Sequence, residues 1–334
     1  MPSVATPQKA SLLARIIYAV FAAIMPRLVR WVNRRGGPQA TAGQLVALGR
    51  RTNTLARLQR VRPFFGVRFE RAVDSPVPME VVRRTDCHAP FSDGVILYFH
   101  GGGFFTGGLD THLHFVATLA RRTRLPVVHV DYRQFPRVTV DGSVHDCVEA
   151  YRWLLARGAD PAKTVIGGDS AGGYLTFATA LAAQQQGMPA PAGVIGISAL
   201  LELDGVGRVG HENLGRDAFG VDVALPDLMD QVCPSPQMRR ELDPINGALD
   251  TMPPALLTAA ESEILRCDAE RLCAALHRHN RPCELLVWPS QIHAFPAVLP
   301  FLPESRAAVT AITAFIAERL AEAAEPGQTR RDAS

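Results

Sequence analysis

Between residues 95 and 323 the sequence repeats one alternation: a short apolar run rich in Val, Ile and Leu, then a longer stretch with helical periodicity. Runs without polar alternation suit strands covered on both faces. The pattern therefore predicts an α/β chain with a mostly parallel sheet and crossover helices on both faces. The strand-like runs fall at 95–99, 127–130, 165–166, 194–197, 255–258 and 284–288, and the helical stretches at 112–122, 144–156, 172–185, 268–279 and 304–323. Two earlier β-like stretches, 67–73 and 79–84, are separated by Asp74-Ser75-Pro76 and predict an edge hairpin feeding the sheet. With 334 residues and 47% hydrophobic content, the chain can bury one large core and carry an attachment, and whole-chain disorder is excluded.

Two parts do not fit the alternation. Residues 1–60 read as helices, and 203–245 form an irregular, Gly- and Pro-containing insertion between two strands. Unpatterned segments of that length inside a compact domain tend to be lids or binding segments. Both are expected to cap the carboxyl ends of the strands, where open α/β sheets bind ligands. The predicted organisation is a helical cap segment over 1–60, a catalytic domain over 61–326 with a cap insertion around 203–245, and a flexible tail at 327–334.

Charge is unevenly spread. The net formal charge of +3 is too small to imply a nucleic-acid partner, yet residues 1–71 carry Lys9 and twelve arginines against Glu70 alone. Within that segment Leu13, Ile16, Ile17, Val20, Phe21, Ile24 and Leu28 are expected on one helix face, packed on the body, with Arg15, Arg27, Arg30 and Arg34 towards the other. A second expectation adds contact of residues 1–34 with anionic membrane. The uncharged stretch 16–26 is too short to span a bilayer and lacks a small-x-small cleavage pattern. Six cysteines without a C-x-x-C pair point to free thiols and a reducing, cytoplasmic setting.

The chemistry-bearing residues sit after strand-like runs. Gly168-Asp169-Ser170-Ala171-Gly172 follows the run at 165–166 and opens a helix. As a bare five-residue pattern it is weak, and an isolated serine is usually a cap or a surface hydroxyl. A strand-to-helix turn flanked by glycines, however, holds a nucleophile in strained geometry with its hydroxyl exposed. His100-Gly101-Gly102-Gly103-Phe104 follows the run at 95–99, and it lacks the G-x-G-x-x-G order of a dinucleotide loop. Its side-chain-free backbone can instead aim N–H donors at a developing oxyanion, with Gly102, Gly103 and Ala171 as donors. His293 lies between the last strand and the last helix, where a base following Ser and an acid in chain order belongs. Glu261, Glu263 and Asp268 compete as the acid, Asp268 also being the expected N-cap of the next helix. No metal-ligand cluster or cofactor motif occurs.

The combination HGGGF, GDSAGGYL, AESEILRCD and QIHAF resembles the hormone-sensitive-lipase-like branch of the α/β-hydrolase esterases over roughly residues 65–320. The resemblance implies an α/β-hydrolase fold with a helical cap. It implies Ser170 as nucleophile, His293 as general base and Gly102, Gly103 and Ala171 as oxyanion hole, with His100, Gly101, Gly168, Asp169 and Gly172 shaping the two motifs. It also implies cofactor-free hydrolysis of small-molecule carboxylic esters with short-to-medium acyl groups. Where that family usually has aspartate this chain has Glu263, which is the expected acid holding the imidazole, and DYRQFPR at 131–137 departs from the family's DYRLAPE. Phe104, Phe105 and Phe295 are expected to line the acyl pocket. An amidase or small-molecule deacetylase shares the triad. A non-catalytic binding protein of the same fold would lack part of it. Oligomeric state has no signature in the sequence.

Overall fold

Each apolar run predicted as a strand lies in one central sheet of the computed structural model, which describes residues 4–5, 9–61 and 64–324. In chain order the principal elements are β1 (Val4–Ala5), α1 (Leu12–Ala56), β2 (Val67–Arg71), β3 (Met79–Arg84), β4 (Val95–Phe99), α2 (Leu113–Thr123), β5 (Val127–Val130), α3 (Val140–Ala156), β6 (Thr164–Asp169) and α4 (Ala171–Gln185). There follow β7 (Gly193–Ile197), α5 (Val221–Val232), α6 (Pro236–Leu242), β8 (Ala255–Ala260), α7 (Arg266–Arg278), β9 (Cys283–Trp288), α8 (Phe295–Val298) and α9 (Pro303–Ala324). The strand order is β1-β9-β8-β7-β6-β4-β5-β3-β2. β4 to β9 are mutually parallel, whereas β3 runs antiparallel to both β5 and β2, forming the predicted hairpin. The order reverses at β4, which lies between β5 and β6, so the loops leaving β4 and β6 meet above a topological switch point.

Alternation along each strand feeds two cores. Val95, Leu97 and Phe99 of β4 join the layer containing Tyr151, Phe177 and Leu272 of α3, α4 and α7, while Ile96 and Tyr98 join Phe115, Ile312 and Phe315 of α2 and α9. β6 runs longer than its apolar pair suggested. Gly167, Gly168 and Asp169 carry no strand propensity of their own, yet Gly168 pairs with Phe99 on one side and Gly196 on the other.

The N-terminal segment differs from expectation in three respects. Val4–Ala5 is not helical: it adds a short parallel edge beside Leu285 and Leu286 of β9. Residues 12–56 form one continuous helix, not several, and continuity through Arg15 and Arg27 creates a 20-residue apolar segment, Leu12–Trp31, of mean hydropathy 1.8 that is long enough to cross a membrane by length and composition. The predicted apolar face is also turned the wrong way. Phe21 packs inwards with Ala14, Tyr18 and Met25, whereas Leu13, Ile16, Val20, Ile24 and Leu28 are about half exposed. The side chain of Arg34 and the tail at 327–334 lie outside the described residues.

The insertion at 203–245 builds α5 and α6. α1 packs along α5, and a Cβ placed on Gly220 at the start of α5 would touch Pro26 and Val29.

Candidate active site

Ser170 occupies the turn between β6 and α4 with φ +53° and ψ −118°, a conformation that an L-residue keeps only when its surroundings enforce it. Its N–H donates to the Ile197 carbonyl at 2.8 Å, pinning the turn to the neighbouring strand. The turn is so tight that a Cβ on Gly172 would fall 2.0 Å from the Phe99 carbonyl oxygen, so no larger residue fits. Ala171, fully buried, begins α4, and the first amides of a helix have no intrahelical partner.

His293 and Glu263 come from the loops after β9 and β8. The Ser170 hydroxyl lies 2.9 Å from His293 Nε2, and His293 Nδ1 lies 2.8 Å from Glu263 Oε2. The other carboxylate oxygen, Glu263 Oε1, accepts the Ala260 amide at 2.8 Å. Both carboxylate oxygens are thereby fixed and the residue is 2% exposed. Burial alone would depress the His293 imidazole. The hydrogen-bonded Glu263 carboxylate, with the charges of Asp217 and Asp169 behind it, more than offsets that and holds its pKa above the usual histidine value.

Of the three competing acids, only Glu263 reaches the imidazole. Glu261 is exposed. Asp268 is not an N-cap, because α7 starts two residues earlier; it is fully buried, chelated by Arg208 at 2.8 and 2.6 Å, and accepts the amides of Leu201 and Glu202.

The glycine loop after β4 lies beside this constellation. Gly102 (φ +128°) and Gly103 (φ +61°) form a turn closed by the amides of Phe105 and Thr106 on the Gly102 carbonyl, and a Cβ on Gly102 would meet the Thr106 carbonyl oxygen at 2.0 Å. His100 is buried and stacks on Tyr132 at 4.4 Å, and the Tyr132 hydroxyl donates to its carbonyl at 2.7 Å. Burial, with His112 nearby, lowers the His100 pKa to about 4, so it stays neutral and packs the loop. Asp169 joins the two motifs by accepting from Tyr98 OH at 2.7 Å and the Gly101 amide at 3.0 Å, with His112 Nε2 at 3.2 Å. Burial would raise this carboxyl, but His112 and the Tyr98 hydroxyl bring it down to about 2.

Several positioning residues left no trace in the sequence patterns. Asn213, 2% exposed, donates from Nδ2 to the carbonyls of Glu261 and Glu263 at 2.8 and 2.9 Å. Asp217, equally buried, accepts the Ile264 amide at 2.9 Å and the Phe219 amide at 2.8 Å. The insertion thus grips the loop that carries Glu263. The available signal was the presence of short polar residues within an insertion that also supplies buried apolar ones. The pocket expectation fails for Phe104 and Phe295, which are 1% and 0% exposed and packed on Tyr174 and Trp288 in the cores. Phe105 is half-buried beside Gly103. A cavity of about 300 Å³ lies between the insertion and the acid loop, lined by Leu203, Arg208, Leu225, Met229 and Ile264.

Residues 96–297 match the family described as alpha/beta hydrolase fold. The chain is 35% identical to an esterase, LipU, of Mycobacterium tuberculosis over 67% of this chain and 77% of that one, and 30% identical to an acetyl-hydrolase of Streptomyces hygroscopicus over 72% and 82%. Among solved structures, an esterase from the bacterial hormone-sensitive lipase family superposes with a TM-score of 0.75 at 26% identity, covering 93% of this chain and all of that one. A serine on a strained strand-to-helix turn, the loops around it and these relatives agree: the chain belongs to the α/β-hydrolase family, in its hormone-sensitive-lipase-like branch.

Proposed function

We propose that this chain hydrolyses carboxylic esters of small molecules with short-to-medium acyl groups through an acyl-enzyme on Ser170. The observation that carries the reading is the continuous hydrogen-bonded line from Ser170 Oγ through both ring nitrogens of His293 to Glu263. Ser170 Oγ attacks the ester carbonyl carbon while its proton passes to Nε2, and the imidazolium is stabilised by the Glu263 carboxylate. The tetrahedral oxyanion is received by the amides of Gly102, Gly103 and Ala171. His293 returns the proton to the leaving alcohol, and water repeats the two steps on the acyl-enzyme to release the acid. The relay uses only side-chain and backbone groups, without a metal or organic cofactor. Six free thiols, five of them buried, support a reducing cellular compartment.

The acetyl-hydrolase relative favours removal of an acetyl group from a small molecule as a second reading on the same residues. Hydrolysis of p-nitrophenyl esters of rising acyl length, set beside acetamides and acetylated alcohols, separates the two. Ser170→Ala should keep the fold and lose about 10⁴-fold or more in kcat, together with labelling by a fluorophosphonate. Activity of that variant within tenfold of the parent would overturn the assignment.

A further inference from the structure

The long helix α1 divides its apolar residues between two opposite faces. The inner face packs on the body: Ala14 is 2% exposed, Ser11 at its start is held by Glu304 of α9, and Phe21 stacks on Phe219 at 6.0 Å. The outer face presents Leu12, Leu13, Ile16, Val20, Ile24 and Leu28, between 48% and 71% exposed. Only 11% of the segment Leu12–Trp31 is buried. Isolated exposed apolar residues are ordinary, but six on two adjoining ridges of one helix form a continuous strip that water disfavours. Around the strip stand Arg15, Arg27 and Arg30, and the sequence has no carboxylate before Glu70.

The geometry points to an anionic lipid surface as the occupant of this face, with α1 lying in the plane of the bilayer. Charge chooses between candidates. A second copy would set the same arginines against one another, with no acid in either α1 to pair them, whereas phosphate and carboxylate headgroups complement them. Orientation follows from the inner face. A helix held to α5 around Pro26 and Val29 and at its start to α9 has its inner face occupied by the body, so it inserts only its outer strip, to a depth of about 5–10 Å. The docked strip lies close to the chemistry, because Phe219, on which Phe21 stacks, sits 5.9 Å from the His293 ring. Resting on the proposed ester hydrolysis, this arrangement assigns membrane-borne esters as the substrate class.

The test uses the full-length protein with vesicles of phosphatidylglycerol and phosphatidylcholine, compared with phosphatidylcholine alone. Co-sedimentation should occur with the anionic vesicles, fall about tenfold or more when salt is raised from low to half-molar, and be lost in Ile16→Glu/Val20→Glu. That double variant should keep its rate on a short soluble p-nitrophenyl ester and lose the rate on a longer ester dispersed in the anionic vesicles. Three results would each overturn the proposal: no sedimentation at low salt, equal binding to both vesicle types, or resistance to alkaline carbonate extraction as a spanning helix shows. Dimerisation in ultracentrifugation that the double variant abolishes, without vesicle binding, would assign the face to a second copy instead. The parent's salt and lipid dependence decides the matter even if the variant misfolds. Absence of any turnover on the soluble ester would count against the proposed chemistry and leave the docking result standing.

Discussion

Glutamate reaches His293 here because its two oxygens have separate tasks, Oε1 on the Ala260 amide and Oε2 on the imidazole. An aspartate at the same backbone position is shorter by one methylene and cannot hold both. Glu263→Asp should therefore lower kcat by about 10- to 100-fold, the usual cost of about 1 Å of misplacement. Glu263→Gln should cost more, approaching 10⁴-fold, because the amide cannot stabilise imidazolium and can hold the wrong tautomer. Glu261→Gln should leave the rate near that of the parent, its side chain being exposed. Steady-state kinetics on one soluble ester ranks the three, and a Glu261 lesion as severe as the Glu263 one would refute the assignment. The pH profile is a second check. The base must be neutral to accept the serine proton, and its pKa is held above the usual histidine value, so kcat/KM should rise with pH and reach its plateau later than an ordinary histidine would allow. Glu263→Gln removes the group that raises that pKa and should move the acid limb to lower pH. An unmoved limb would mean that another group titrates.

The sheet brings the loops together, but the insertion holds one of them in place. Glu263 lies between two backbone carbonyls and one amide gripped by Asn213 and Asp217, both outside the strand-and-helix alternation. Replacing Asn213 by Ala removes one donor from each of the Glu261 and Glu263 carbonyls and loosens the loop. The expected result is a loss of about 10-fold or more in kcat with KM little changed, because this residue is buried and acts through the acid loop. Asp217→Asn leaves one of the amides that the carboxylate accepts without an acceptor and removes a buried negative charge that helps hold the His293 pKa up, so the acid limb of its pH profile should move to lower pH, and further than in Asn213→Ala, which removes no charge. If both variants shift the limb equally, the two residues are not acting by position and by charge respectively. These contacts were not legible in the sequence, whereas the placement of Ser170, His293 and the glycine loop at the ends of their strands was. Strand-following motifs announce themselves through local backbone needs, glycine above all. A clamp assembled from residues about 50 positions apart depends on tertiary contact and has no local period.

At the scale of the molecule the parallel sheet could be read from its apolar runs because burial on both faces dictates composition directly. The direction in which α1 faces could not. Both of its faces are apolar, and periodicity alone does not say which one meets the body. The link between insertion and body was equally hidden. It is the Arg208–Asp268 pair, 7% and 0% exposed, in which the guanidinium also donates to the Glu202 carbonyl and Asp268 accepts the Leu201 and Glu202 amides. Removing one partner strands a charge without water. Arg208→Met should accordingly destabilise the protein by about 3–5 kcal/mol, as breaking a buried pair usually does. With an unfolding entropy of about 2.1 cal/mol/K per residue, that corresponds to a fall in Tm of about 4–7 °C for a chain of this length. Asp268→Asn should fall in the same range while retaining far more activity than Glu263→Gln, because Asp268 supports the scaffold and does not touch His293. Calorimetry also distinguishes two ways of failing. A single, lower transition means that insertion and sheet unfold together through this pair, whereas a new early transition with the main one unmoved would mean that the insertion melts alone and Arg208 secures only that part. The first outcome is expected, because α5 is packed on α1 and the insertion's Asp217 and Asn213 hold the loop between β8 and α7, leaving no boundary along which the insertion could detach.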